Sequence, residues 1–191
     1  SILLKAFSHL ETIHSPRAMA FAIKGLYYYN SEIETEENLL LVNLLATRLL
    51  EMYMHESEKN WEWYESYLTY ANSIIPEAML YAWLMSGNMQ YLDVARKSFH
   101  FLLSKIFNEN GIEVIPNKSW LHKGEESGEF GEQPIDVAYT IMTLSAFYDL
   151  FSDEDCYSKL VIAFNWFLGE NRLQQIIYNP CTGGCYDGLE E

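Results

Sequence analysis

Four acidic side chains are the candidates for acid–base chemistry in this sequence: Glu65, Glu132, Asp136 and Asp187. A pair of carboxyl groups that face one glycosidic bond can hydrolyse it. One carboxylic acid protonates the leaving oxygen, while the other carboxylate activates water or attacks the sugar. In this hypothesis Asp136 or Glu132 is one member of the pair, and Asp187 or Glu65 is the other.

Each of these carboxylates also has a structural interpretation. Asp136 lies near a predicted helix N-terminus, where unpaired backbone N–H groups stabilise a negative charge. Glu65 follows an aromatic run, so it is equally suited to be the polar partner of a buried ring. Asp187, in the segment YDGL, is typical of a residue that caps a turn. The residue types therefore leave both interpretations open.

Amide, aromatic and imidazole side chains are the candidates for direct contact with a sugar. An amide offers both a donor and an acceptor to a sugar hydroxyl, and the apolar C–H face of a sugar ring stacks on Trp or Tyr. The structural alternatives are that an amide satisfies loop backbone and that a loop histidine is simply solvated. The predicted substrate-binding residues are Gln133, Trp61, Trp63, Tyr64, Asn72, Trp120, His122 and Tyr186.

The stretch from His122 to Thr140, HKGEESGEFGEQPIDVAYT, changes from an acidic, glycine-rich loop to an apolar helix, with Pro134 at the junction. The connection from Gly111 to Gln133 is long for a link between two helices, and loops of this length in compact domains are often functional. We therefore expect the loop and the helix start to form a ligand-facing rim.

Apolar residues recur at helical spacing through most of the chain, with prolines at several helix starts. The pattern predicts helices over residues 16–30, 35–57, 76–86, 89–107, 134–151 and 154–168, with Gly169 as the last helix's stop. Residues 111–117, GIEVIPN, alternate apolar and polar side chains, which predicts a short β-ribbon. The predicted fold class is all-α.

Three prolines at helix starts give the chain a regular period. Pro16, Pro76 and Pro134 are separated by 60 and 58 residues. This spacing predicts an array of about three helical hairpins, whereas the alternative is an irregular helical bundle. A curved array of three hairpins leaves an open side. We therefore expect a single domain over 1–191 that is a fragment of a larger toroid or is covered by a second copy or an adjoining catalytic domain.

Charge and cysteine content exclude several classes of protein. The formal net charge is −15, which repels phosphate backbones and anionic lipids, so neither nucleic acid nor a membrane is predicted as a partner. Only three cysteines occur, without zinc-like spacing, which favours a reduced, cytoplasmic protein without a bound metal or cofactor. No signal peptide and no membrane span are expected from the sequence.

Four segments together resemble the six-hairpin, α/α-toroid modules of bacterial carbohydrate-active proteins. They are WEWYESYLTYANSIIPEAML (61–80), GEQPIDVAYT (131–140), FNWFLGEN (164–171) and TGGCYDGL (182–189). The resemblance is to a module found beside, or fused to, glycosyltransferases and other glycan enzymes. It implies a toroid fold and a role in carbohydrate metabolism.

In such a toroid the first turns of the inner helices surround a common bowl, and Pro76 and Pro134 mark two such turns. We expect a glycan to bind in this bowl, with glycoside hydrolysis or glycosyl transfer as the matching chemistry. Two alternatives remain open. One is a non-catalytic accessory module of a glycosyltransferase, and the other is a helical solenoid that binds proteins through its acidic loop.

Overall fold

The computed structural model describes Phe7, residues 9–128 and residues 130–190. Within this part of the chain, six helices have defined bounds: α1 (Pro16–Glu32), α2 (Glu36–Glu56), α3 (Ile74–Ser86), α4 (Met89–Ile106), α5 (Pro134–Phe151) and α6 (Glu154–Phe167). Four two-residue strands accompany them: β1 (Tyr67–Leu68), β2 (Phe107–Asn108), β3 (Gly111–Ile112) and β4 (Leu121–His122).

The predicted all-α fold with a short ribbon is confirmed. The ribbon is an antiparallel hairpin of β2 and β3, in which Phe107 pairs with Ile112 and Asn108 with Gly111. It therefore begins before the predicted segment 111–117 and uses only its first two residues. A second antiparallel pair, β1 with β4, joins segments more than 50 residues apart in the chain and was not predicted.

Helix boundaries follow the proline and glycine signals closely. Pro16 and Pro134 occupy the first turns of α1 and α5, where a residue without an N–H costs no helical hydrogen bond. Helix α3 begins at Ile74, two residues before Pro76, so this proline lies within the first turn. Gly169, with φ +105°, follows the end of α6 as expected of a C-terminal stop.

The contacts within the chain define two compact units. Unit 1 comprises the residues up to Glu65 together with Ile74–Phe101, and unit 2 comprises Ser66–Ser73 together with the residues from Leu102 onward. The single domain over 1–191 that is expected from the sequence stays a prediction.

In unit 1, helix α1 packs against both α2 and α3. Lys24 Nζ contacts the two carboxylate oxygens of Glu77 at 2.8 and 2.9 Å, and one turn further along both helices Tyr28 Oη lies 3.1 Å from Tyr81 Oη. Because the contacts advance in the same direction on both helices, α1 and α3 run parallel. Parallel first helices are what a stack of helical hairpins requires.

In unit 2, α5 packs against α6, and α6 also contacts β3. The β1–β4 pair follows the alternation of a strand. Leu68 and Leu121 are opposite each other and are buried, whereas Tyr67 and His122 form the neighbouring pair on the other face. This pairing ties the short segment 66–73 to the long loop that precedes α5.

None of the helices in the described residues combines the length and the apolar character needed to cross a bilayer.

Candidate functional site

A polar cavity of about 330 Å³ in unit 2 is the strongest candidate for a functional site. Its volume lies at the lower end of the range of about 300–1,000 Å³ that is typical of small-molecule pockets. Four charged side chains line it: Lys105, Glu113, Glu132 and Arg172. The remaining lining residues are Asn108, Val114, Pro116, Ser127 and Gly128.

Glu132, one of the predicted catalytic residues, is the buried acid of this cavity. Only 3% of its surface is exposed. Its Oε2 accepts a hydrogen bond from Trp166 Nε1 over 3.1 Å, and its Oε1 accepts one from Arg172 Nε over 3.1 Å. Its backbone carbonyl also accepts from the Leu189 N–H over 2.8 Å. The carboxyl group is therefore held in one orientation beside the cavity.

Burial raises the pKa of the Glu132 carboxyl above its ordinary value, because a charge is poorly solvated there. The hydrogen bonds from Trp166 and Arg172, together with the Arg172 charge, act in the opposite direction. The negative charge of Glu113 raises the pKa further. A carboxyl group with a raised pKa in a cavity is suited to proton donation, and the neighbouring Glu113 is a second carboxylate in the same cavity.

The β2–β3 hairpin supplies one wall of the cavity. Lys105 lies in the last turn of α4, and Asn108 lies in β2. Glu113 follows β3 directly, and its N–H donates to the Ile106 carbonyl over 2.8 Å, which continues the ribbon by one residue. A tight hairpin thus fixes the Glu113 backbone relative to the end of α4.

Two close approaches between loops form another wall. A Cβ atom added to Gly128 would lie 2.2 Å from Ser119 Oγ, so only glycine allows the loop to approach the 116–120 turn this closely. Gly131 has φ +100°, and its carbonyl accepts from the Asn117 N–H over 2.9 Å. Gly128 is therefore explained by its close approach to Ser119, and Gly131 by its left-handed backbone and its contact with Asn117.

The Arg172 guanidinium contributes a donor that no side chain or backbone group of the described residues accepts. Its Nη2 atom is buried and has no hydrogen-bond partner among the described residues. Buried donors are nearly always paired, because an unpaired one loses its hydration without compensation. A ligand oxygen in the cavity lined by Arg172 would supply that missing acceptor.

Asp136 takes part in a different set of contacts in unit 2. It is buried in the first turn of α5, and its Oδ1 accepts a short hydrogen bond from the Ala71 N–H. Ala71 has φ +48°, a left-handed conformation that is unfavourable for alanine. Asp136 therefore stabilises a strained turn through Ala71, whereas its structural interpretation placed it against the N–H groups of a helix N-terminus.

Asn72, predicted to bind substrate, completes the same turn. Its side chain accepts from the Thr69 N–H over 3.0 Å and donates to the Thr69 carbonyl over 2.8 Å. Asn72, Ser73 and Asp136 also line a cavity of about 10 Å³, a space of about one water molecule. Ser73 Oγ is buried without a hydrogen-bond partner among the described residues. This smaller cavity has the size and polarity of a buried water site.

Three of the predicted sugar-stacking residues lie in the core of unit 1. Trp61, Trp63 and Tyr64 are 4%, 0% and 2% exposed. Trp61 and Trp63 both contact the Phe101 ring, and Tyr64 Oη lies 2.9 Å from Ser98 Oγ. These rings present no open face to a ligand in this structure. Their burial was not predicted from the sequence. They lie in a loop, and loop residues show no periodic pattern that indicates which side chains are buried.

Glu65 belongs to unit 1 and makes a largely buried ion pair there. Its Oε2 lies 2.8 Å from Arg17 Nη1, and its backbone carbonyl accepts from Trp61 Nε1 over 2.7 Å. The structural interpretation makes Glu65 the polar partner of a buried aromatic residue. The Glu65 backbone carbonyl has this role towards Trp61. Since Glu65 and Pro76 lie in unit 1 whereas Glu132 and Pro134 lie in unit 2, the common bowl remains a prediction.

The other predicted residues lie at the surface of unit 2 or near it. Trp120 is 44% exposed, Tyr186 is 55% exposed, and His122 and Asp187 are also exposed. Gln133 is half-buried at the N-cap of α5, where its backbone carbonyl accepts from the Asp136 N–H over 3.0 Å.

Sequence reasoning missed Glu113, Lys105 and Arg172. Glu113 lies in the predicted ribbon 111–117 and is not among the carboxylates predicted to be catalytic. Arg172 follows the end of the last helix in a chain with only 12 basic residues, and this scarcity was an available signal. Only the fold brings these three side chains to the loop that contains Glu132.

Among the described residues, no group of three or more His, Cys, Asp or Glu side chains is arranged to hold a metal ion. No protein-family model matches the chain, and a comparison with curated proteins also finds no match.

Proposed function

We propose that the protein binds a carbohydrate in the Glu132 cavity of unit 2, and that Glu132 and Glu113 provide the acid–base pair for glycoside chemistry. The observation that carries the proposal is the buried Glu132, with its raised pKa, beside a cavity that also contains Glu113. Glycoside cleavage needs one carboxyl group that is protonated at working pH and one that is ionised.

The charges around the cavity favour a neutral ligand with many hydroxyl groups. Lys105 and Arg172 contribute two positive charges, and Glu113 and Glu132 contribute up to two negative ones, so the cavity is close to neutral. The same four side chains and Asn108 offer both donors and acceptors at short range. A sugar presents donors and acceptors in similar numbers, and it carries no charge that must be neutralised.

In the proposed reaction Glu132 acts as the general acid. A protonated Glu132 donates its proton to the glycosidic oxygen as the bond to the anomeric carbon breaks. The ionised Glu113 removes a proton from the attacking water or attacks the anomeric carbon directly. Arg172 and Trp166 hold the Glu132 carboxyl group in place, so they are positioning residues.

The resemblance to six-hairpin toroid modules supports the same assignment. The parallel packing of α1 and α3 in unit 1 agrees with stacked hairpins. Under this proposal the protein works in carbohydrate metabolism beside a glycosyltransferase or another glycan enzyme. We also place it in the cytoplasm, where thiols stay reduced, because Cys156, Cys181 and Cys185 are all free.

A binding module without catalysis is the second candidate. It is favoured by one observation, which is that both oxygens of Glu132 already accept hydrogen bonds from protein donors. In that case Glu132 and Arg172 would only anchor sugar hydroxyl groups. The difference between the two candidates is whether a bound glycoside is cleaved.

A panel of aryl α- and β-glycosides tests the proposal with the wild-type protein and with E132Q, E113Q and D187N. Wild-type protein should release the aryl group from at least one glycoside. Loss of either cavity carboxylate should lower the rate by about 10²- to 10⁴-fold. D187N changes an exposed carboxylate outside the cavity and should retain the wild-type rate. Binding without cleavage would favour the second candidate, and neither binding nor cleavage of any sugar would contradict the proposal.

A further inference from the structure

An aromatic surface lies next to the cavity in unit 2. It consists of Tyr67, Trp120 and His122, which we call the aromatic platform. The Trp120 and Tyr67 rings are stacked, with centroids 6.1 Å apart and an interplanar angle of 24°. The Tyr67 and His122 rings have centroids 6.0 Å apart. Trp120 remains 44% exposed, which is unusual for the largest apolar side chain.

The β1–β4 pairing fixes the orientation of this platform. Tyr67 and His122 are cross-strand partners, and the next pair, Leu68 with Leu121, points into the core. Since successive side chains of a strand alternate between faces, Tyr67 and His122 lie on the outer face of this pair, and the Trp120 ring stacks on Tyr67. The three rings are therefore held together by backbone pairing as well as by ring contacts.

Trp120 also adopts a strained backbone conformation. Its φ is +53°, in the left-handed region that bulky residues rarely occupy. Backbone strain of this kind persists where the surrounding structure enforces it, and it is concentrated at functional sites. The exposed ring and the strained backbone are two independent observations on one residue.

A short backbone turn, residues 116–120, connects the platform to the lining of the cavity. The Trp120 N–H donates to the Pro116 carbonyl over 3.1 Å, and Pro116 lines the cavity. Gly128, another lining residue, approaches Ser119, the residue before Trp120. The backbone turn 116–120 therefore carries both a lining residue of the cavity and the exposed ring of the platform.

We propose that the aromatic platform is a second sugar-binding subsite, so that the ligand is an oligosaccharide with one unit in the cavity and the next unit on Trp120. The inference rests on the proposed function of the cavity. A pyranose ring offers an apolar C–H face to the Trp120 ring, whose π-face is electron-rich, while its hydroxyl edge reaches the imidazole of His122. Stacking of this kind contributes affinity with little demand on the exact sugar.

Binding titrations with a length series test this subsite. The probes are the methyl glycosides of the common hexoses and the disaccharides and trisaccharides of whichever hexose binds. For wild-type protein we expect the dissociation constant to fall about tenfold from monosaccharide to disaccharide. W120A should lose this gain while its monosaccharide affinity stays at the wild-type value, and W120F should retain most of it.

F164A is the matched control, because Phe164 is an aromatic side chain on α6 that is 54% exposed. It should keep the full dependence on chain length. Monosaccharide binding with no gain for longer ligands would overturn the subsite alone, as would an unchanged gain in W120A. Failure of every saccharide to bind wild-type protein would overturn the proposed function and this inference with it. Circular dichroism of each variant verifies folding.

Discussion

Arg172 donates from Nε to Oε1 of Glu132 over 3.1 Å, and this contact fixes the segment after α6 against the cavity. Trp166, in the last turn of α6, donates to the other oxygen of the same carboxyl group. The last turn of α6 and the segment after it therefore each contribute one donor that positions the buried acid. The orientation of Glu132 depends on α6 as much as on its own loop.

Removal of the Arg172 charge should shift the pH dependence of the site. The arginine charge lowers the pKa of Glu132, so R172Q should raise that pKa and extend the protonated form to higher pH. The descending limb of a profile of activity or ligand affinity against pH should move to more alkaline values. R172K restores the charge and should restore much of the profile. A loss of activity with an unmoved profile would contradict the effect of the Arg172 charge on the pKa of Glu132.

Glu132 should make the protein less stable as the pH rises. Its folded pKa lies above the ordinary value of 4.5, so the folded state binds more protons than the unfolded state between these two values. Stability due to this group is therefore lost as pH rises through that window. Urea unfolding of wild-type protein and E132Q at several pH values should show a difference that grows in favour of E132Q. A constant difference would contradict the raised pKa.

The buried pair Lys24 and Glu77 should matter greatly for unit 1. Glu77 is 1% exposed, and K24M would leave its charge with the Tyr81 hydroxyl but without an ion-pair partner, at a cost of about 3–5 kcal/mol. K97M is the matched control, since the Lys97–Asp93 pair is half-exposed and such pairs contribute about 0–1 kcal/mol. Urea unfolding measures both. Equal effects of the two substitutions would contradict the burial of the Lys24–Glu77 pair.

The contact from Asp136 to Ala71 should stabilise unit 2 rather than catalyse a reaction. D136A leaves the buried Ala71 N–H without an acceptor, which we expect to cost about 1–3 kcal/mol. Asp187 is exposed, so D187A should change the free energy of unfolding by less than about 0.5 kcal/mol. If D136A kept full stability but abolished sugar binding, Asp136 would belong to the site after all.

The cysteines should differ in reactivity. Cys156 is 5% exposed, and burial raises the pKa of its thiol to about 11, so little thiolate is present near neutral pH. Cys181 and Cys185 are exposed. Mass spectrometry after iodoacetamide treatment should find Cys181 and Cys185 modified in the folded protein, and Cys156 only after denaturation. Early modification of Cys156 would contradict its placement in the core.

Helices were predicted accurately because their signals are local. The α5 bounds, Pro134 and Phe151, coincide with the predicted ones, since a proline marks the start and apolar periodicity continues to the end. The β1–β4 pair was missed because its two strands are short and distant in the chain. No window around Tyr67 contains the strand that His122 contributes.

The candidate site was predicted only in part, for a related reason. Loop length and acidic composition, which are visible in the sequence, singled out Glu132 as a candidate, and Glu132 lines the cavity. The partners of Glu132 come from the ribbon and from the segment after α6, and only tertiary packing brings Glu113 and Arg172 there. The burial of Trp63 was likewise not predicted, since the sequence pattern around a loop residue does not indicate whether its side chain is buried.

The most direct test of the account is an NMR titration of ¹⁵N-labelled protein with a panel of saccharides. We predict that at least one saccharide shifts the backbone amides of Glu113, Gly128, Glu132 and Arg172 in a saturable way, and that E132Q weakens this binding about tenfold or more. Saturable shifts that cluster away from these residues, or no shift with any saccharide at millimolar concentration, would contradict it.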